Sequence, residues 1–297
     1  MLKKSFLFLF AALSLVACSD DSGSDEQSTN ANANSTYQHK EYGRLEFPKL
    51  ANSANNVVLI HKTANGELNY CVEWDTKKKS QRWSCYQMYK SIMQTNTTRY
   101  TGDSDPQYPQ DPLLSTQYRW ASDPFYGTGY NHGHICPSAD RLCSKEQNKQ
   151  TFYLTNMQPQ RNGFNARVWA NMETKVRNWA KQNNYSFCDT MYVCKGGTID
   201  NNSQILTTLS SGLIVPKYFY MAILISKKQA SGNIKYDAMA FYIEHKDGND
   251  NGQDLAKYVI TIDELEKRTG IDFFCNLPDN IERSVESTVN LKLWGFN

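Results

Sequence analysis

The segment from Gly163 to Gln182 constrains this chain more than any other. Val168, Met172, Val176 and Trp179 recur at steps of three and four, the mark of a helix with a single apolar stripe. Such a helix must lay that stripe on another apolar layer. The segments around it supply one, because they read as strands. Val57 to Thr63 is β-rich, and Asn65-Gly66 marks a tight hairpin before Glu67 to Trp74. A third strand, about Gln81 to Met88, follows a lysine-rich turn at Thr76 to Ser80, completing an antiparallel meander. Strands are expected again at Asp189 to Cys194, Tyr218 to Ile225, Asp237 to Glu244 and Tyr258 to Ile262. A short helix from Asp263 to Thr269 is stopped by Gly270. The pattern predicts one α+β domain around a mainly antiparallel sheet, without internal repeats. Between the meander and the helix, Thr95 to Tyr126 is polar, with Asp-Pro at 105, 111 and 123 breaking any helix. A long loop is expected there, and loops of this length commonly carry function.

The N-terminus reads differently. Lys3 and Lys4 precede the apolar run Ser5 to Ala17, which ends in Leu15-Val16-Ala17-Cys18. This is the form of a secretory leader, too short to span a bilayer comfortably. The cysteine at the cut resembles a bacterial lipobox, which implies removal of residues 1–17 and a lipid on Cys18. That places the protein in the cell envelope, at the outer membrane or surface of a Gram-negative bacterium, touching the membrane through its anchor only. Residues 18–36 are acidic and then Asn/Ser/Thr-rich, with almost nothing to bury, and are expected to form a disordered tether. The folded domain is then 37–297.

The full chain has 32 basic and 30 acidic residues, +2 in all. Setting aside Lys3, Lys4, Asp20, Asp21, Asp25 and Glu26 leaves 30 against 26, or +4. This permits a polyanionic substrate without demanding one. Besides Cys18 there are seven cysteines, an odd number, so at least one cannot pair within the chain. Cys71 and Cys85 flank the lysine-rich turn symmetrically, so a cross-strand bridge is expected; Cys188 with Cys194, and Cys136 with Cys143, are close enough to bridge.

Two stretches carry chemistry. In Tyr130-Asn131-His132-Gly133-His134-Ile135-Cys136, His134 offers a proton acceptor. On the helix, at about 100° per residue, Asn165, Glu173 and Arg177 fall within an arc of roughly 120° beside the apolar stripe. An imidazole, an amide oxygen suited to a hard metal, a carboxylate and a guanidinium are the parts needed to hydrolyse a phosphodiester with one cation.

These residues resemble a known family. Asn131-His132-Gly133-His134, Tyr153-Leu154-Thr155-Asn156-Met157-Gln158-Pro159-Gln160 with Asn165, Trp169 and Glu173, and Ile262 to Gly270 with Leu277-Pro278-Asp279 are similar to three blocks of the DNA/RNA non-specific endonucleases. The resemblance spans about Val57 to Glu286 and implies a ββα-metal (His-Me finger) nuclease fold. It implies metal-dependent hydrolysis of DNA and RNA that leaves 5′-phosphate ends. Under it, His134 takes a proton from the attacking water. Asn165 is the direct ligand of a hydrated Mg²⁺, with Mn²⁺ as the alternative ion, and Glu173 holds the surrounding waters. Asn156 helps orient the site. Arg177, and Arg99 from the loop, stabilise charge on the transition state.

The chain departs from the family signature at two places: Asn131 stands for Asp and His132 for Arg. A neutral imidazole cannot supply the constant charge of a guanidinium, so the role of His132 is left open. Two other readings stay open at this point. One is a catalytically weakened surface module that binds polyanions or protein. The other is a zinc-dependent hydrolase using His132 and His134, which share one side of a strand with Cys136. Plainer roles are also available: Asn165 as a helix cap, Glu173 and Arg177 as a surface pair, Trp169, Met172 and Trp179 as core, and Lys77-Lys78-Lys79 as a solvated hairpin tip.

Overall fold

A strand buried on both faces has no polar side, and Tyr218–Lys228 is such a strand. Phe219, Met221, Ile223 and Ile225 belong to one apolar cluster, while Tyr220, Ala222 and Leu224 belong to another on the opposite face. The structure is a computed structural model and describes residues 29–102, 106–248 and 254–296. In chain order its strands and helices are β1 (Asn56–Lys62), β2 (Leu68–Asp75), β3 (Ser80–Met88), β4 (Asn131–His134), α1 (Lys145–Gln150) and β5 (Met157–Gln160). A π-helical turn, Phe164–Trp169, leads into α2 (Ala170–Tyr185). Then come β6 (Thr190–Gly197), β7 (Ile205–Thr208), β8 (Ile214–Pro216), β9 (Tyr218–Lys228), β10 (Ile234–Glu244), β11 (Val259–Ile260), α3 (Ile262–Thr269) and α4 (Asp279–Glu286).

Seven strands form one antiparallel sheet in the order β1-β2-β3-β6-β9-β10-β11. The predicted stripe of α2 lies on one face: Val168, Met172, Val176 and Trp179 pack with Val72, Val193, Met221 and Phe241. The other face is covered by α3 through Ile262 and Leu265, together with Phe47, Phe273 and Leu277. Two small ribbons, β4–β5 and β7–β8, stand apart from the sheet. The Asn65-Gly66 hairpin forms as expected, with Gly66 at φ +82°, a conformation that asks for glycine. Among the described residues of 95–126, the one regular element is a 3₁₀ turn at Thr116–Tyr118. Buried Asp111 pins this loop: it accepts from His61 Nε2 at 2.8 Å and from the Thr155 hydroxyl.

Three expectations are corrected. The leader, Cys18 and residues to 28 lie outside the described residues, but 29–36 are not a tether. Thr29 Oγ1 donates to Asp279 at 2.7 Å, Asn30 Nδ2 to the Leu277 carbonyl at 2.8 Å, and buried Asn34 to the Pro48 carbonyl at 3.0 Å. Asparagine amides hold this stretch by hydrogen bonds where it has nothing apolar to bury. Second, no cysteine is bridged among the described residues. Cys71 does face Cys85, and Cys85 faces Cys194, across adjacent strands. All three sit as thiols in the layer that holds Trp83 and Phe47, and burial pushes the thiols of Cys85 and Cys194 up, away from the reactive thiolate. Cys188 and Cys194 belong to opposite faces of the sheet. Cys143 instead donates to Gln147 Oε1 at 2.9 Å. Third, the lysine turn is not simply solvated: Lys78 and Lys79 donate to the carbonyls of Ile199 and Arg119, both at 2.9 Å.

Candidate active site

His134 ends β4, which pairs with β5 from Asn131↔Gln160 to His134↔Met157. Gly133 is required here for space, because a Cβ would stand 2.3 Å from the Gln160 side chain. The ribbon presents His134 to a cleft of about 360 Å³ that is also lined by Arg99, Tyr108, Tyr130, Asn131, His132, Asn165 and Glu173. Phe152 meets the His134 ring edge-on at 4.7 Å, and Nε2 is buried without a hydrogen-bond partner. Burial, then the nearby Arg99 cation, push this imidazole down to about 3, so it is neutral at physiological pH. A neutral imidazole has a lone pair with which it can accept a proton.

His132 lines the same cleft, as the spacing on a strand requires. Its ring lies between Tyr108, parallel at 3.7 Å, and Phe125 at 4.2 Å. Nε2 stands 3.0 and 2.9 Å from the two oxygens of Asp123. Burial lowers its affinity for a proton, while Asp123 raises it; burial prevails.

The other wall comes from the helix. Asn165 does not cap it: the residue lies inside the π turn, with its N–H donating to the Arg161 carbonyl at 2.8 Å. Turns of this kind concentrate at functional sites. Glu173 and Arg177 do not pair with each other. Glu173 Oε1 accepts from Lys195 Nζ at 2.7 Å, and Arg177 Nε donates to Asp140 Oδ1 at 2.6 Å. Arg177 therefore does not line the cleft; buried Asp140 holds it. Burial pushes the Glu173 carboxyl up, and Lys195 pulls it back. Arg99 is exposed at the cleft, with its guanidinium 4.7 Å from the Phe152 ring. Asn156 is fully buried and does not line the cleft. Its Nδ2 donates to the carbonyls of Cys136 at 2.8 Å and Thr151 at 2.7 Å, and its Oδ1 accepts from Cys136 N at 2.8 Å. It positions the chain just after His134 without touching the site.

The donors fit a hard cation. Asn165 and Glu173 offer oxygen, and the neighbouring imidazole is neutral. They do not fit zinc: among the described residues, no three His, Cys, Asp or Glu ligand atoms gather in this cleft. Cys136 is buried with its thiol pushed up to about 12.

The model of the DNA/RNA non-specific endonuclease family matches residues 53–280. The chain belongs to that family. This endonuclease is 29% identical to a nuclease of Nostoc sp. over 223 residues, covering 74% of this chain and 76% of that one. It is 24% identical to the nuclease of Serratia marcescens, over 73% and 77% of the two chains. With human mitochondrial endonuclease G the identity is 22%, over 70% and 68%. In structure it matches a chain of the EndoG/EndoGI complex with a TM-score of 0.59 at 19% identity, covering 78% of this chain and 90% of that one. The fold is the ββα-metal nuclease fold, with β4, β5 and the helix ending in α2 as its ββα unit.

Four residues that line the candidate site or hold its side chains carried no expectation from the sequence: Tyr108 in the cleft, and Lys195, Asp140 and Asp123 beside it. Lys195 left a trace, as a lone charge inside the apolar run of β6. Asp123 was visible only as an Asp-Pro helix breaker.

Proposed function

We propose that this endonuclease cuts DNA and RNA with one hydrated Mg²⁺, leaving 5′-phosphate ends, with Mn²⁺ as a substitute ion. The reading is carried by one convergence: His134, Arg99, Asn165 and Glu173 meet on a single cleft from a ribbon, a loop and a helix. The neutral His134 ring receives a proton from water as that water attacks phosphorus. An incoming phosphate brings negative charge near the ring and raises its proton affinity when it is needed. Arg99, held beside Phe152 and Tyr108, presents its guanidinium to the cleft, where it would meet a phosphate oxygen. Asn165 would ligate the cation directly and Glu173 would hold its waters, with Lys195 opposing the protonation of Glu173 that burial favours. When bound, the cation supplies charge neutralisation at the phosphoryl group and assists departure of the 3′ oxygen. Arg177 is a positioning residue, fixed through Asp140.

We further propose that residues 1–17 are removed as a leader and that a lipid on Cys18 anchors the enzyme at the outer membrane or surface of a Gram-negative cell. Exchange of Cys18 for alanine should then move the protein out of the membrane fraction.

The test is cleavage of supercoiled plasmid and of RNA by wild type and His134→Ala, each with Mg²⁺ or EDTA. A soluble version must begin before Thr29, because 29–34 is bonded to the domain. Metal-dependent cutting of both substrates, lost in the variant, is the expected result. A folded wild type that cuts neither would leave a binding module on a nuclease fold.

A further inference from the structure

Glu286 is an acid in an unfavourable place. It closes the C-terminal end of α4, where free carbonyls already make the field negative. Only 6% of it is exposed, and its Oε1 is buried with no hydrogen-bond partner. The charged groups that act on it are themselves acids: Glu266, Glu282, Asp272 and Asp263. One carboxylate oxygen from each of Asp263, Glu266 and Glu286 lies within 4.8 Å of the others. Asp263 and Glu266 are three apart on α3 and so share a face; Glu286 meets them from α4. Among the described residues this is the one such trio of His, Cys, Asp or Glu side chains, and none of its members forms an ion pair with a lysine or arginine. Nearby, Asn32 Nδ2 donates to Asp272 at 3.1 Å and Glu282 at 2.8 Å, while its Oδ1 is also buried and unpartnered.

Ionised acids this close repel, so something positive must be shared among them. We propose that Asp263, Glu266 and Glu286 form a second divalent-cation site, of calcium type, apart from the catalytic cleft. Two oxygens on one Ca²⁺ at about 2.4 Å can stand no more than about 4.8 Å apart, and the trio meets that limit. Calcium accepts irregular oxygen sets and completes its shell with water, whereas magnesium demands near-octahedral order. Without the ion, protons do the work: burial, then the neighbouring acids, push Glu266 up to about 7 and Glu286 up to about 10. The site lies on the α3 face of the sheet, opposite α2 and the cleft. Its role is to fasten α3 to α4, beside the Asn32 strap, and not to take part in chemistry.

The experiment is thermal unfolding of the purified, EDTA-treated protein as calcium chloride is added, with equilibrium dialysis to count bound calcium. It uses Asn165→Ala, so that the catalytic ligand is gone. Millimolar calcium should raise Tm by about 5 °C, with one ion bound per chain. Glu286→Gln should abolish both effects. So should Asp263→Asn, an exposed change that spares the core should the buried variant fail to fold. Absence of bound calcium would overturn the site, as would a rise in Tm that survives both substitutions. Stabilisation by Glu286→Gln in a protein indifferent to calcium would assign the trio to shared protons and equally defeat the proposal.

Discussion

Lys195 Nζ donates to Glu173 Oε1 across 2.7 Å, joining a strand of the central sheet to the helix of the cleft. Only 1% of the lysine side chain is exposed, and its ammonium lies 4.7 Å from the Trp169 ring. Burial favours the neutral Glu173 carboxyl, and Lys195 opposes it. Lys195→Met keeps the length and removes the charge. Breaking a buried pair on one side costs about 3–5 kcal/mol, to be read by urea unfolding. Under the proposed role of Glu173 toward the metal's waters, loss of this support should lower kcat/KM by roughly 10–100-fold and raise the Mg²⁺ needed for half-maximal plasmid cleavage. A variant that cuts as well as wild type at low Mg²⁺ would show that Glu173 needs no partner.

His132 stands where the family carries arginine, in an aromatic slot between Tyr108 and Phe125 and against Asp123. Its lowered proton affinity leaves the position without fixed charge at neutral pH. A guanidinium stacks on aromatic rings and can pair with a carboxylate by two bonds, so the slot suits His132→Arg. Turnover at pH 7.5 should rise by roughly tenfold. The gain should shrink as pH falls well below 6.5, because the native imidazole then gains its own charge. Equal or lower turnover at pH 7.5 would mean that the His132–Asp123 pair does something an arginine cannot.

The sheet and the apolar stripe of α2 were legible because burial imposes a period. Val168, Met172, Val176 and Trp179 are all buried, and β1, β2 and β3 fall within a residue or two of the expected runs. The pairing of β4 with β5 was not legible: each strand has four residues, one holding Gly133 and the other Pro159, too few to show alternation. Arithmetic at about 100° per residue fixes direction around the helix but not distance along it, and Arg177, one turn beyond Glu173, lies outside the cleft. Arg177 found Asp140 instead. Lys195 depends on register: two residues on from Val193, it shares the α2 face of β6, which only the assembled sheet reveals.

Arg99 helps to keep the His134 ring unprotonated, second only to burial. With the ring at about 3, the acid limb of kcat/KM should lie far below the usual histidine range, and cleavage at pH 5.5 should stay within about threefold of that at pH 7. Removing the cation in Arg99→Ala raises the ring's proton affinity, so the acid limb should move to higher pH while activity falls at every pH. The same ring couples to stability. Its folded affinity lies below the unfolded one, so its contribution is complete above about 6.5 and is lost as pH falls from there toward 3. A wild-type acid limb centred near 6.5 would return His134 to the ordinary range and remove burial as the tuning force.

Asn156 uses every bonding position it has: two N–H groups to the Cys136 and Thr151 carbonyls, and its oxygen to Cys136 N and, at 3.1 Å, the Ser84 hydroxyl. It thereby ties β3, the end of α1 and the exit of β4 together behind His134. Asn156→Ala would strand these groups in the dry interior, where each costs about 1–3 kcal/mol. Because they relax together, the sum should come to about 3–5 kcal/mol, at the low end of four separate losses. His134→Ala should instead abolish cleavage with little change in Tm. In Asn156→Ala, activity should fall in step with the folded fraction, and the surviving folded protein should keep the wild-type pH profile. A stable Asn156→Ala protein with an altered pH profile would move Asn156 from positioning into the chemistry itself.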